Sequence, residues 1–418
     1  MRIAIVVQRY GTDINGGAEL HARLLAERLA ARHGVDIITT KSKSYVVWDN
    51  ELDKDYEIIN GLPVYRFASH KKNKFLAHRF YRLNRDLSKI SIFFRKLGWK
   101  KLATSRILRF HWFFRQWLRH QGPYCPSMMD FIKQKKNYYD VFIYFTYLYY
   151  PTNAGINITG KKSILIPTAH DEKPFYFTGY AGIFEKAGYI MYNSIAEKQL
   201  VENTYPSSKR TANDIAGVGI DAPHIKKSKP VIEDPYFVYI GRLDRAKNVH
   251  ELADFFKKYK DRNNQARNLK LVLIGKAEKN LPETDHPDII QTGFISDEEK
   301  NRWLQHARAL IIPSKHESLS MVTLEAMNAG IPVIANASSK VLEDHIRVSK
   351  AGFAYENYME FERALNRILT MTENQRKIMK KKGIAYVKNN YQWEAILQKF
   401  EKAFAYIQQL NDEKHLVR

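Results

Sequence analysis

Short runs of β-branched and aromatic residues alternate along the first half of the chain with segments of helical periodicity. Apolar runs of this kind, without a polar face, are typical of parallel strands that are buried on both sides of a sheet. Strands that alternate with helical segments favour βαβ units. The pattern predicts a doubly wound α/β domain. Its predicted strands are residues 3–7, 35–40, 63–67, 141–145, 163–167, 189–193 and 215–219.

A polar stretch with three prolines, residues 221–235, indicates a linker, because proline interrupts both helices and strands. The same alternation then resumes and predicts a second α/β domain, and the chain becomes helical from about residue 358. We therefore expect a first domain at 1–222, completed by the C-terminal helix 393–418, and a second domain at 223–392. The strands predicted for the second domain are residues 237–241, 269–275, 288–293, 309–314 and 332–336.

Composition narrows the class of protein. The chain has 418 residues, enough for more than one core, and one cysteine, Cys125, which excludes an internal disulfide and a zinc site built from cysteines. The N-terminus lacks the pattern of a signal peptide. The longest apolar run, residues 141–150, is about half of the ~20 residues that a membrane-spanning helix needs. We expect a soluble or peripheral protein.

The net charge of +23 is concentrated in one segment. Residues 71–120 hold 15 Lys and Arg against one acidic residue, Asp86, so this segment carries +14 of the total. Eleven aromatic residues are interleaved with the cations at spacings that suit amphipathic helices. We expect a basic insertion at about 71–140 in the first domain. Its cations either form a solvated face over packed aromatics, dock on an anionic membrane, or line a nucleic-acid groove.

Glu317 and Glu325 bracket a stretch of small and apolar residues where a predicted strand gives way to a helix. The helix is expected to begin near Met321 and to stop at Gly330. The amides of Ser320, Met321 and Val322 would then be free to bind phosphate at the positive end of the helix. Carboxylates beside a phosphate are suited to accept hydrogen bonds from hydroxyls. That combination matches a sugar nucleotide.

The glutamate pair with seven residues between, followed by AMNAGIPVIA, resembles the E-x7-E signature of the retaining family 4 glycosyltransferases. The resemblance implies the GT-B fold, in which two Rossmann-like domains with parallel sheets face each other across a cleft. It also implies that Glu317 contacts hydroxyls of the donor sugar and Glu325 the ribose. The alternative is that Glu317 is only exposed and that Glu325 pairs with a surface lysine.

The segment YIGRLDRAKNVHEL, residues 239–252, resembles the G-R-x-x-x-x-K-N segment of the same family. Gly241 would let the backbone turn sharply after a strand. Arg242 and Lys247 would neutralise a departing diphosphate together with the helix start, so that no metal is required. An ordinary surface Arg and Lys is the alternative.

A diglycine precedes the first helix of the chain. Gly16 and Gly17 do not fit the G-x-G-x-x-G dinucleotide fingerprint, but they allow a ligand to approach backbone amides. In the family this loop lines the place where donor and acceptor meet. The resemblance makes Gly17 a donor candidate, and it makes Gly16, Glu19 and His21 acceptor candidates. Tight packing of strand on helix is the competing interpretation.

Three further segments complete the prediction. His170 follows a predicted strand, and the family places a histidine near the reacting sugar at this point, although a lone histidine is often structural. Phe294 and Ile295 occupy the segment that passes the nucleotide base in relatives. Asp53 and Asp55 form a literal D-x-D, but the polar loop around them argues against a metal site.

The resemblance to the retaining family, together with these residues, implies retaining transfer of a hexose, without metal or cofactor, from a nucleoside-diphosphate sugar to a saccharide acceptor. The catalytic candidates are Glu317, His170, Arg242 and Lys247. We expect a lipid-linked acceptor, a role in cell-surface polysaccharide synthesis, and a peripheral position at the inner face of the cytoplasmic membrane. No nucleic-acid partner is expected. An epimerase-like enzyme of GT-B fold and a nucleic-acid-binding protein remain as alternatives.

Overall fold

The computed structural model describes residues 1–14, 16–45, 47–97, 111–221, 228–263, 266–277 and 286–416. The chain forms two compact units, Met1–Val218 with Ile396–Arg418, and Gly219–Ala395. The sequence placed these boundaries at 222/223 and 392/393, and residues 222–227 of the linker lie outside the described part. Each unit is built on one sheet, as the alternating pattern predicted.

The first unit contains an eight-stranded sheet of order β3-β4-β2-β1-β5-β6-β7-β8. All of its recorded strand pairs are parallel except β3–β4. The strands are β1 Arg2–Val6, β2 Gly34–Thr40, β3 Tyr56–Ile59, β4 Leu62–Phe67, β5 Val141–Phe145, β6 Ser163–Ile166, β7 Tyr189–Tyr192 and β8 Ala212–Ile215. The helices are α1 Gly17–Leu29, α2 Lys74–Lys96, α3 His111–Gln121, α4 Pro126–Lys135, α5 Tyr150–Thr159, α6 Ala181–Lys186, α7 Ile195–Thr204 and, from the C-terminus, α14 Trp393–Leu416.

Burial explains which strands the sequence revealed. Every residue of β5 is buried, which is why its apolar run was a clear signal. The strand predicted at 215–219 is wrong, because the edge strand β8 ends at Ile215 and its polar Asn213 and Asp214 are only half-buried. The edge strand β3 was missed for a similar reason, since it alternates between exposed and half-buried positions.

The cation-rich part of the basic insertion forms helices α2 and α3, as its amphipathic spacing predicted, and α4 follows within the same insertion; residues 98–110 lie outside the described part. The inner face of α2 is small and polar, with buried Ala77, Asn84, Ser88 and Ser91. The Asn84 amide donates to the carbonyl oxygen of Phe113 at 3.2 Å, which joins α2 to α3. Small residues at these positions let the two helices approach closely.

The aromatic residues of the insertion divide into two groups. In α3, Phe114 and Trp117 are buried in the core of the unit and contact Tyr180 edge to face. Other apolar side chains of the two helices and the adjoining turn face outward beside the cations. The exposed large apolar residues of this region are Phe75, Leu83, Ile90, Phe93, Leu97 and Trp112. Packing therefore accounts for only some of the aromatics.

The C-terminal helix α14 packs on the first unit. The Lys399 ammonium donates to the carbonyl oxygen of Ile215, and the Glu401 carboxylate lies 2.9 Å from Nε2 of His33. Among the described residues, no helix is long and apolar enough to cross a bilayer.

The second unit contains a six-stranded parallel sheet of order β11-β10-β9-β12-β13-β14. The strand order reverses between β9 and β12, which is the switch point of a Rossmann-like sheet. Its strands are β9 Tyr236–Ile240, β10 Lys270–Ile274, β11 Ile289–Gly293, β12 Leu310–Ile312, β13 Val333–Asn336 and β14 Gly352–Tyr355. Its helices are α8 Val249–Arg262, α9 Asp297–His306, α10 Met321–Asn328, α11 Lys340–Ser349, α12 Tyr358–Leu369 and α13 Glu373–Asn390.

Candidate active site

The two motifs of the second unit meet at its switch point. Strands β9 and β12 are neighbours, paired through Val238 and Leu310, and each is followed by one of the motif loops. The buried Asn248 side chain donates to the carbonyl oxygen of Pro313 at 3.2 Å and so joins the two loops. Ligands of open α/β sheets bind where the strand order reverses, beyond the carboxyl ends of the strands. The motifs therefore occupy the expected binding edge of this sheet.

Glu317 is paired with a lysine from the other loop. The Lys247 Nζ atom lies 2.6 Å from Oε1 of Glu317, and the glutamate side chain is only 14% exposed. The alternative that Glu317 is merely exposed is therefore wrong. The structure instead brings together two groups that the sequence assigned to different parts of the donor.

Glu325 has a longer contact. Its Oε2 atom lies 3.6 Å from Nζ of Lys300, and its side chain remains 31% exposed. Lys300 is held more closely by Asp297, at 2.8 Å. Burial disfavours the charged form of Lys300, but Glu325 and Asp297 outweigh that effect and raise its pKa. Glu325 does pair with a lysine, as the alternative proposed, but the distance leaves its oxygens accessible.

Helix α10 begins at Met321 and Gly330 follows its end, as predicted. Ser320 precedes the helix in the left-handed conformation, with φ 61°, which is uncommon for a residue other than glycine. The Thr323 amide is used within the turn, donating to the Ser320 carbonyl oxygen at 3.0 Å. The amides of Met321 and Val322 have no acceptor in the part of the chain that the structure describes, so they are available to an anion.

The loop before α10 is held by a buried histidine that the sequence did not reveal. Nε2 of His345 lies 2.8 Å from the Leu319 carbonyl oxygen, and Nδ1 lies 2.8 Å from the Tyr386 hydroxyl. Burial lowers the pKa of His345, so the neutral form is favoured. A neutral ring that donates through Nε2 and accepts through Nδ1 satisfies both contacts. His345 is 28 residues from Glu317, and no local pattern links them.

The G-R loop depends on a glycine and an aspartate. Gly241 has φ 156°, and a Cβ there would lie 2.7 Å from the Tyr239 hydroxyl oxygen, so glycine is required. Asp244 is 2% exposed and contacts both ends of the motif, namely the Arg242 guanidinium and the Lys247 amide. Asp244 was not among the sequence candidates.

Phe294 and Ile295 were sequence candidates for the nucleotide base. Phe294 lies directly after the carboxyl end of β11 and is 70% exposed. Ile295 follows it, before the start of α9.

In the first unit, the acceptor candidates are largely engaged in packing. Glu19 is buried and accepts from the Arg9 guanidinium at 2.6 Å and from the Gln8 amide at 3.1 Å. A Cβ at Gly16 would lie 2.0 Å from Oε2 of Glu19, so this glycine makes room for the buried carboxylate. His21 is buried against Phe145, and burial lowers its pKa to about 3. These contacts favour structural roles, and the acceptor prediction for the three residues gains no support from them.

Gly17 differs from its neighbour. No described atom lies within 4 Å of a Cβ built on Gly17, which opens α1. The position is therefore open to a ligand.

His170 lies in the loop after β6 with its side chain one-third exposed, and its Nε2 atom is 3.7 Å from Oε2 of Glu172. The backbone before it is unusual. Thr168, with φ 50°, and Thr146, with φ 66° after β5, are β-branched residues in the left-handed region, and their hydroxyls lie 3.1 Å apart. Strained positions of this kind cluster at functional sites.

A buried glutamate also supports this loop. The Glu197 carboxylate accepts the backbone amides of Ala169 and Asn193, both at 2.5 Å, and so connects the turns after β6 and β7. Burial raises its pKa to about 8, although the two amides oppose the shift. No sequence pattern indicated this role, because Glu197 lies in an ordinary helix start capped by Ser194.

The D-x-D pair has ordinary contacts. Asp55 pairs with Lys41 at 2.7 Å and is largely exposed. Among the described residues, no group of three or more His, Cys, Asp or Glu is arranged to hold a metal ion.

Comparison with known proteins agrees with this architecture. The family model described as glycosyl transferases group 1 matches residues 221–386. A sucrose-phosphate synthase from Thermosynechococcus elongatus superposes with a TM-score of 0.67 at 17% identity, covering 100% of both chains. Anabaena HepE, solved in complex with UDP and glucose, gives a TM-score of 0.65 at 14% identity, covering 97% of this chain and 99% of its own. The fold is therefore GT-B.

Two curated relatives carry the same class name. An uncharacterized glycosyltransferase of Methanocaldococcus jannaschii is 24% identical over 364 residues, 82% of each chain. The capsular polysaccharide biosynthesis glycosyltransferase CapM of Staphylococcus aureus is 23% identical over 190 residues, 43% of this chain and 48% of that protein. These relatives and the family match support sugar transfer as the activity.

Proposed function

We propose that this protein is a retaining, metal-independent glycosyltransferase that moves a hexose from a nucleoside-diphosphate sugar to a saccharide acceptor. The observation that carries the proposal is the pair of carboxylates, Glu317 and Glu325, on either side of the free amides of α10 at the switch point. Each carboxylate has a lysine beside it, at 2.6 Å and 3.6 Å. Hydroxyl acceptors on both sides of a phosphate-binding helix start suit the three parts of a sugar nucleotide.

The donor is assigned along this row. Glu325 binds the ribose hydroxyls, and Glu317 binds hydroxyls of the transferred sugar. The diphosphate lies between them on the α10 amides, with Arg242 and Lys247 as its counter-charges, next to the turn at Gly241. Phe294 and Ile295 border the base. Apart from the apolar Phe294 and Ile295, each of these side chains or amides has a charge or a hydrogen-bonding capacity that fits its part of the donor.

The reaction follows from charge stabilisation. Two cations and a helix start stabilise the negative charge that develops on the diphosphate as its bond to the anomeric carbon breaks. The acceptor hydroxyl then attacks the cation-like sugar from the same face, and its proton passes to an oxygen of the departing diphosphate. His170 and Gly17 are assigned to this reaction from the family resemblance, His170 beside the reacting sugar and Gly17 beside the donor.

We further propose that the acceptor is lipid-linked, in cell-surface polysaccharide synthesis, and that the basic insertion docks on the inner face of the cytoplasmic membrane. The exposed apolar side chains of α2 and α3 lie among cations such as Arg82, Lys89 and Arg115, which are exposed as well. Apolar side chains that enter the headgroup region, surrounded by cations that attract acidic lipids, are typical of interfacial helices.

Calorimetry with UDP, GDP, dTDP and CMP, each with and without its sugar, tests the donor assignment. We expect one nucleotide to bind and its binding to be lost in Glu325→Ala. If no nucleotide binds, or if the variant binds it unchanged, the proposed donor site is wrong. Product analysis with and without a saccharide acceptor separates transfer from epimerisation, because an epimerase alters the donor sugar without an acceptor.

A further inference from the structure

The carboxylate of Asp244 contacts both cationic residues of the G-R loop, the side chain of Arg242 and the backbone of Lys247. Its Oδ1 atom accepts the backbone amide of Lys247 at 2.7 Å, and its Oδ2 atom lies 3.0 Å from the Arg242 guanidinium. The aspartate side chain is 2% exposed, whereas that of Arg242 is 39% exposed. A single buried group therefore fixes the backbone under one cation and the side chain of the other.

The frame extends into strand β9. The buried Tyr239 hydroxyl donates to the Arg242 carbonyl oxygen at 2.8 Å. The Lys247 side chain is directed to Glu317, and Asn248 joins the end of the loop to Pro313. Residues 241–248 are therefore held at both ends, and Asp244 joins the middle of the loop to the Arg242 side chain and to the Lys247 backbone.

We propose that Asp244 is a positioning residue that aims Arg242 and Lys247 at the distal phosphate of the donor. This inference rests on the proposed function. The distal phosphate is the relevant one because it bears the sugar, and Lys247 already contacts Glu317, the residue assigned to that sugar. Glu325, assigned to the ribose, lies in the second turn of α10, after the helix start at Met321 where the phosphate is placed.

Two effects of Asp244 oppose each other. Its negative charge weakens the attraction of the loop for an anion, so that its removal should tighten phosphate binding if field strength dominates. Its contacts hold the Arg242 guanidinium and the backbone from which the Lys247 side chain extends, so that its removal should weaken binding if positioning dominates. A charged hydrogen bond contributes much less to the binding free energy when the cationic side chain that donates it is free to move. The sign of the change distinguishes the two effects.

The test compares a nucleoside diphosphate with its monophosphate. Calorimetry is carried out with the pair UDP and UMP, or with the pair of whichever base the donor screen selects. In Asp244→Ala we expect diphosphate affinity to fall by about tenfold or more, the worth of one charged hydrogen bond, and monophosphate affinity to change by less than about twofold. Asp244→Asn keeps an acceptor for the Lys247 amide and should give an intermediate loss.

Asp254→Asn is the matched control, because it removes the same charge from an exposed position on α8. It should bind both nucleotides like the wild type, with the melting temperature of each variant checking the fold. Unchanged or tighter diphosphate binding in Asp244→Ala would overturn the inference, and so would equal losses for diphosphate and monophosphate. If the wild type binds its diphosphate and Glu325→Ala abolishes that binding, but Asp244→Ala leaves the affinity unchanged, only this inference fails. If the wild type binds no nucleotide, the proposed function fails with it.

Discussion

The Lys247 ammonium and the Glu317 carboxylate lie 2.6 Å apart, although 70 residues separate them in sequence. In the proposed function one of these groups binds the diphosphate and the other binds the sugar. In the structure the two groups form an ion pair with each other. In the proposed function, the phosphate and the hydroxyls of the donor therefore compete with this ion pair for both groups.

The first prediction follows from this pair. In Glu317→Gln, Lys247 loses its internal counter-charge, so we expect the nucleoside diphosphate without sugar to bind about two- to fivefold more tightly, the worth of a partly exposed ion pair. Transfer should fall by about a hundredfold, because the sugar loses a charged hydrogen-bond acceptor that is needed in the transition state. Calorimetry and initial rates measure the two effects separately. Weaker binding of the sugar-free nucleotide would show that the pair does not compete with phosphate.

The second prediction uses two adjacent glycines. Gly16→Ala places a methyl group 2.0 Å from the buried Glu19 carboxylate, so the free energy of unfolding should fall by about 1–3 kcal/mol, the usual cost of overpacking. Gly17→Ala meets no described atom within 4 Å and should gain up to about 1 kcal/mol, because alanine is favoured in a helix. Chemical denaturation measures both changes.

The same pair tests the donor assignment of Gly17. If the donor approaches this backbone, Gly17→Ala should reduce transfer although the protein is as stable as the wild type. A stable Gly17→Ala variant with full activity would remove Gly17 from the donor site.

The third prediction concerns pH. Burial raises the pKa of Glu197 from 4.5 to about 8, against the opposing effect of two donated amides. Since the folded-state pKa is the higher one, the stability that this group contributes is complete below about pH 4.5 and is lost as the pH rises through about 8. Glu197→Gln cannot ionise and should lack this loss. The free energy of unfolding of the wild type, relative to the variant, should fall over that range by more than about 1.4 kcal/mol, the worth of one pKa unit.

Denaturant titrations at several pH values measure this difference. A constant difference between wild type and Glu197→Gln across the range would mean that Glu197 does not change its charge there.

The fourth prediction tests the basic insertion as a membrane surface. Replacing Arg79, Arg82 and Lys89 by glutamine should weaken binding to vesicles with acidic lipids by on the order of a hundredfold at low salt, at about 1 kcal/mol per cation. Replacing the exposed Phe93 and Trp112 by serine should weaken it further and make the remainder more sensitive to salt. Sedimentation with vesicles measures both.

The control for these variants replaces Lys377, Lys381 and Lys388 by glutamine, which removes the same charge from the exposed face of α13. Wild-type protein that stays free of acidic vesicles at low salt would contradict the membrane proposal. An equal loss in the α13 control would show that net charge, rather than the insertion, is responsible.

The sequence by itself determined the two sheets, most of their strands and the position of the helix that begins at Met321, because buried parallel strands and helix ends leave local patterns. It failed at β3, β8 and β14, which lie at sheet edges where burial is partial and the apolar pattern fades. It selected Glu317, Glu325, Arg242 and Lys247 by motif, without knowing which of them meet.

Only the tertiary structure decided the partners. The contacts of Glu317 with Lys247, of Glu325 with Lys300, of Leu319 with His345 and of Ala169 with Glu197 join residues that are 25 to 70 positions apart. The structure also showed that two adjacent glycines have different surroundings, since Gly16 packs against the Glu19 carboxylate and the space beside Gly17 is open. The physical reason is that periodicity records how each segment is buried, whereas the partner of a charged group depends on which loops the strand order brings to the same edge of a sheet.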